Sequence, residues 1–132
     1  MDLKILRIAS NTENNKFIKN HTHIAKHKNP ICGDVMEISL DIKHDKIIDF
    51  GYQCKSCVYC QASVSLLSRN VIDKTINNLE VLFQVVENFF TESPSNFPKE
   101  WKIFEQVFDK KNILRKECIL LPFKTLSKAL KL

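Results

Sequence analysis

Between residues 36 and 42 the chain alternates strictly, with Met36, Ile38, Leu40 and Ile42 apolar and Glu37, Ser39 and Asp41 polar. Successive side chains of a strand point to opposite faces, so a period of two predicts a strand with one buried face. The next four residues, "KHDK", read as a turn. A second strand is expected from Ile47 to about Gln53, with Ile48, Phe50 and Tyr52 on one side. Together they predict an antiparallel hairpin.

The rest of the pattern is mainly helical. Leu3, Ile5, Leu6, Ile8 and Ala9 suit a short amphipathic helix over residues 2–9. Residues 10–30 are polar and poorly periodic and read as a loosely held arm; His23 and His27 within it are expected to be solvated. Residues 58–72 contain neither Gly nor Pro and predict a helix starting near Cys57. Two alternative apolar faces compete in it: Ala62, Leu66 and Arg69, or Val64, Leu67 and Val71. Thr75 is a good N-cap for a following helix whose stripe is Ile76, Leu79, Leu82, Phe83, Val86 and Phe90, ended by "TESPSNFP". A third helical segment, residues 99–110, buries Trp101, Phe104 and Phe108, and Pro122 suits the first turn of a last helix running to Leu130. The sum is an α+β fold, a small antiparallel β-sheet packed against several α-helices.

A chain of 132 residues fits one domain, long enough to bury roughly two thirds of its unfolded surface without help from a metal. We divide it into a helix and polar arm (1–28) and a core (29–132). It opens "MDLKILRIAS", without a basic segment followed by an apolar run, and its longest apolar runs are short; a soluble, cytoplasmic protein that does not enter a membrane is expected. The net charge of +5 is concentrated at both ends, and residues 34–109 are acidic on balance. No dense Arg/Lys block is interleaved with aromatics, which argues against nucleic acid, while a basic face for an acidic protein partner stays open.

Five cysteines are an odd number in a chain without an export signal, so metal-binding or reactive thiols are favoured over a disulfide framework. Cys54, Cys57 and Cys60 repeat at intervals of three, as in the C-x2-C-x2-C-x3-C-P run of bacterial ferredoxins. The fourth cysteine and its proline would be Val64 and Ser65, so the electron-carrier reading fails. Cys32 lies in "NPICGDV", where Asn29 and Pro30 favour a turn, Gly33 permits unusual backbone angles and Asp34 offers a carboxylate. Cys118 falls near a helix N-terminus beside Arg115 and Lys116, an environment expected to lower its pKa. Three thiols on loops at element ends with one carboxylate amount to a four-ligand metal site.

"NPICGDV" (29–35), "CVYCQAS" (57–63) and "RKECILLPFKTLSKAL" (115–130) resemble the three cysteine blocks of the U-type iron-sulfur scaffold family, IscU, SufU and the N-terminal domain of NifU. The resemblance runs from about Asn29 to the C-terminus and implies that fold. Matched residue by residue, it selects Cys32, Asp34, Cys57 and Cys118 as ligands and leaves Cys54 and Cys60 outside the set. Those two read as small apolar fillers, or Cys60 as a reserve ligand or second sulfur acceptor. The chain lacks the L-P-P-V-K chaperone motif of the ISC branch and has Glu117 where that branch has histidine; its long segment between Cys57 and Cys118 is similar to an insertion of the SUF branch.

The resemblance implies a scaffold that takes persulfide sulfur from a cysteine desulfurase and holds a transient iron-sulfur cluster, of the 2Fe-2S type, for delivery to apo acceptor proteins. Cys118 is the first candidate for sulfur acceptor and Cys57 the second. The SUF-type alternative holds zinc on the same four residues and acts in sulfur transfer, so sulfurtransferase activity with a desulfurase is open although no classical enzyme is implied. A structural zinc interaction domain is the reading from a different class. On charge alone, the basic arm is a candidate docking site for the desulfurase.

Overall fold

The computed structural model describes residues 2–91 and 96–132. Their order is α1 (Leu3–Ala9), β1 (His23–Lys28), β2 (Val35–Lys43), β3 (Lys46–Lys55), α2 (Val58–Asn70), α3 (Ile76–Asn88) and α4 (Lys116–Leu130), with 3-10 segments Lys99–Gln106 and Lys110–Arg115 before α4. The strands form one antiparallel sheet in the order β1-β2-β3.

The β2–β3 hairpin closes through His44 and Asp45, both left-handed at φ 53° and 61°, the two-residue turn whose twist matches that of the strands. Asp41 pairs with Asp49 but Ile42 pairs with Ile47, so Ile48 has no partner on β2. This bulge shifts the alternation by one residue. Ile47, Phe50 and Tyr52 face the core, whereas Ile48 is 38% exposed, contrary to the expectation that placed it on the buried side.

The polar stretch before residue 30 is no loose arm. Residues 23–28 are β1, paired with β2 so that Ala25 lies opposite Ile38, with Ala25 buried and His23 and His27 half-buried on the same face. With a single small residue fully buried, the strand shows no apolar alternation. The segment before it is stitched to the fold: the Tyr52 N–H donates to the Asn14 carbonyl (3.0 Å), the Ile18 N–H to Ser39 Oγ (3.0 Å), and Asn14 Nδ2 to Ser68 Oγ (3.0 Å). A Cβ at Gly51 would lie 2.5 Å from the Lys16 carbonyl oxygen, so this glycine serves the crossing chain rather than the cysteines that follow.

α2 is buried from Ala62 to Ser68. Both faces read from the sequence are internal, because α1 and α4 pack on it from different sides and β3 also touches it. Its three buried serines each find a carbonyl: Ser63 donates to Ile119 (2.6 Å), Ser65 to Asn11 (2.7 Å) and Ser68 to Ser65 (2.8 Å). Thr75 caps α3 in a capping box with Asn78, as expected.

Trp101, Phe104 and Phe108 are buried, but over 99–106 the backbone is 3-10 rather than α-helical. The three-residue spacing of Trp101, Phe104 and Val107 suits three residues per turn. The "SPSNFP" turn falls partly on residues 92–95, outside the described residues. Pro122 lies well inside α4, which begins six residues earlier. Because α4 begins at Lys116, Cys118 occupies its first turn rather than preceding it, and Pro122 has no N–H for the Cys118 carbonyl four residues back. α4 packs across β1 and β2, completing the α+β architecture. Among the described residues no helix is long and apolar enough to cross a membrane.

Candidate metal and thiol site

The register places the β1–β2 loop and the end of β3 at the same end of the sheet, since Val35 pairs with both Lys28 and Lys55. Asn29 organises that loop: its carbonyl accepts from the Gly33 N–H (2.8 Å), its N–H donates to the Asp34 carbonyl (2.8 Å), and its Oδ1 accepts from the Ile31 N–H (2.9 Å). Gly33 takes φ +78°, a conformation that a side chain disfavours. The loop thus presents Cys32 exposed and Asp34 half-buried.

Cys118 reaches the same point from the first turn of α4. One ligand atom each from Cys32, Asp34 and Cys118 lies within 4.8 Å of the others. Asp34 Oδ2 also accepts the N–H of Cys57 at 3.3 Å, tying the β1–β2 loop to the N-cap of α2. The Cys57 thiol lies near enough to Cys118 to bear on its ionisation. Two further contacts fix α2 against α4 here: the Ser63–Ile119 hydrogen bond and the Arg115 guanidinium 5.6 Å above the Tyr59 ring.

The Cys118 thiol is raised, not lowered. Burial is the main cause, followed by the neighbouring Cys57 thiol and by the charges of Cys57, Cys32 and Asp34. Arg115 faces Tyr59 instead of the thiol, so the expected cationic help does not arrive. Cys32, Asp34 and Cys118 crowd one point, while Cys57, also expected as a ligand, stands next to them outside that group; a soft divalent cation or an iron-sulfur cargo would neutralise such a cluster of acidic groups.

Cys54 and Cys60 stand beside this group. Cys54 lies on the core side of β3 opposite Met36, and Cys60 is completely buried in the first turn of α2. Burial pushes both thiols up, and the nearby Ser56 hydroxyl offsets part of that rise. The triplet therefore does gather in one neighbourhood, with Ser56 beside Cys54 and Cys60. Sequence reasoning missed Ser56, whose only signal is its place between two cysteines, and the capping role of Asn29, legible as the Asn-Pro turn.

The family model for the NifU-like N terminal domain matches residues 2–108. The chain belongs to the NifU-like N-terminal domain family. The match begins at residue 2, so the family likeness extends through the N-terminal segment on which the three cysteine blocks are silent, and it stops before Cys118. The iron-sulfur cluster assembly scaffold protein IscU of Thermotoga maritima is 29% identical over 129 residues, covering 96% of this chain and 89% of that protein. Among solved structures, FiSufU of Fervidobacterium islandicum AW-1, described as belonging to iron-sulfur cluster assembly in the SUF system, superposes with TM-score 0.89 at 26% identity, over 98% of this chain and 96% of its own. The N-terminal part of a NifU-like protein of Brucella abortus follows with TM-score 0.84 at 25% identity, over 98% and 91%. The NifU-like fold, with its three-stranded sheet and helices, is thereby shown.

Proposed function

We propose that this NifU-like chain is an iron-sulfur cluster assembly scaffold that binds its cargo through Cys32, Asp34, Cys57 and Cys118. The observation carrying this reading is the meeting of Cys32, Asp34 and Cys118 within 4.8 Å, with the Cys57 backbone N–H bonded to Asp34 and its thiol close by. Thiolates are soft ligands suited to iron and sulfide, whereas the carboxylate is hard and holds iron-sulfur units less tightly. One such ligand suits a site that must release what it builds, a 2Fe-2S cluster passed to apo acceptor proteins.

Sulfur would come from a cysteine desulfurase, by attack of a scaffold thiolate on the terminal sulfur of the desulfurase persulfide. Attack needs access, and here Cys57 has the advantage: it is half-buried at a helix N-cap, whereas Cys118 is only 6% exposed. We therefore place Cys57 ahead of Cys118 as acceptor, reversing the order drawn from the sequence. The donor set favours a second reading, the SUF-type alternative of the sequence resemblance, in which the same four residues hold zinc and the chain is a sulfur-transfer partner. Three thiolates and a carboxylate fit zinc, and zinc would keep the thiols deprotonated until sulfur arrives.

The test is anaerobic reconstitution with iron, cysteine and a desulfurase, following visible absorption and assaying bound iron, zinc and sulfide. Iron and sulfide in equal amounts, lost in Cys57→Ser and kept in Cys54→Ser, is the expected result. Persistent zinc with faster cysteine turnover supports the sulfur-transfer reading. Zinc without any effect on turnover sinks both and leaves a structural zinc domain.

A further inference from the structure

Cys57 and Cys60 form a C-x2-C pair at a helix start, Cys57 as the N-cap of α2 and Cys60 one turn in. Residues three apart on a helix have Cβ atoms about 5–6 Å apart, and helical Cα–Cβ bonds tilt toward the N-terminus. Cys60, the third residue of the helix, leans toward the helix start, and Cys57 is the extended N-cap at that start (ψ 169°); an N-cap and the third helical residue are within side-chain reach, as in a capping box, and a disulfide between them draws the first turn closer. Cys60 has no exposed surface, so a neighbour inside the fold is its natural reaction partner. A second observation marks the same corner. Ser56 Oγ is buried with no hydrogen-bond partner, and it stands near enough to the thiols of Cys54 and Cys60 to bear on their ionisation. A dry hydroxyl held there is available to a thiolate as it forms.

We propose that Cys60 is a resolving thiol that reduces sulfur carried on Cys57 to sulfide, leaving a Cys57–Cys60 disulfide. The proposal rests on the reading that Cys57 accepts sulfur. Cys60 Sγ attacks Sγ of the Cys57 persulfide; the Sγ–Sγ bond forms and the bond to the sulfane sulfur breaks. Hydrosulfide leaves with that bond's electron pair and takes up the Cys60 proton. The sulfane sulfur gains two electrons and the two cysteines lose two. A free dithiol reductant then restores the pair by thiol–disulfide exchange, becoming a disulfide itself. Ser56 acts as a positioning residue, donating to Cys60 as its charge develops. Sulfide is released beside Cys32, Asp34 and Cys118, where a cluster needs it, and Cys57 becomes a ligand again only after reduction.

The experiment uses the full chain, reduced, metal-free and anaerobic, freed of reductant and then treated with glutathione persulfide. Sulfide is measured, and cysteine states are mapped by mass spectrometry of peptides. Wild-type protein should release sulfide and lose two hydrogens at a Cys57–Cys60 link. Cys60→Ser and Cys60→Ala should lose this release and retain one extra sulfur on Cys57, while Cys54→Ser behaves as wild type. Undiminished sulfide release from the Cys60 variants overturns the proposal, as does a wild-type disulfide that excludes Cys60; the latter needs no variant to fold. A stable persulfide on wild-type Cys57 overturns this proposal alone, whereas no sulfur on Cys57 in any protein overturns the acceptor reading with it.

Discussion

Asp34 joins two functions in one side chain: its Oδ2 accepts the Cys57 N–H, and its carboxylate stands with Cys32 and Cys118. Asp34→Ala removes one half-buried hydrogen bond, worth about 1 kcal/mol, so the folded state should survive. Loss of the hard ligand should slow cluster transfer to an apo acceptor, followed by circular dichroism; an unfolded variant would instead favour the structural zinc reading. The buried thiols carry a pH signature in the metal-free protein. Cys60 and Cys118 are both raised in the folded state, chiefly by burial. Their contribution is fully present below the unfolded thiol pKa of about 8.5 and is lost as pH rises toward the folded values, because the unfolded chain then releases protons more readily. The urea midpoint should therefore fall between neutral pH and strongly alkaline pH, and fall less in Cys60→Ala.

The hairpin shows how one extra residue changes which side chains matter. Ile47 is fully buried beside the bulge and Ile48 projects outward. Ile47→Ala should cost about 2–5 kcal/mol, whereas Ile48→Ala should stay within roughly 0.5–1 kcal/mol, measured by chemical denaturation. Period-two reading found the strand but placed Ile48 inside, because a bulge leaves no mark in apolar alternation. Gly51→Ala should strain the contact with the Lys16 carbonyl, costing about 1–3 kcal/mol, with faster hydrogen exchange at the Tyr52 amide that bonds Asn14. β1 also alters how desulfurase docking should be tested. Truncation at Asn29 would remove a strand, so charge reversal at the exposed Lys26 and Lys28 is the cleaner experiment; unchanged desulfurase stimulation would end the idea of a basic docking segment.

Across the whole molecule, the four candidate ligands come from the β1–β2 loop, the N-cap of α2 and the first turn of α4. A metal held by all three is bound by the folded state and not by the separated segments, so zinc should raise the melting temperature, by about 2.7 kcal/mol of stability at a hundredfold excess over Kd. Cys32→Ser should abolish most of that gain with little effect on the metal-free protein, since Cys32 is exposed. The aromatic cluster, which contains none of the candidate ligands, should behave in the opposite way. Phe104 packs on Phe97, Trp101 and Phe123, and Phe104→Ala should cost about 3–5 kcal/mol with or without zinc.

The sequence by itself determined the β2–β3 hairpin, the starts of α2 and α3 and the burial of the aromatics, because each is written in local periodicity or capping chemistry. It also singled out Cys32, Asp34, Cys57 and Cys118 through three short blocks that resemble a family. Only the tertiary structure decided what depends on neighbours distant in the chain. β1 exists because β2 offers it an edge, not because residues 23–28 alternate. Both faces of α2 are internal because α1 and α4 approach from different sides. The Cys118 thiol is raised because folding buries it among Cys57, Cys32 and Asp34, which outweighs the basic residues beside it in sequence. Ser56 is confined with Cys54 and Cys60 for the same reason: burial and charge are properties of the assembled surroundings, and no local pattern encodes them.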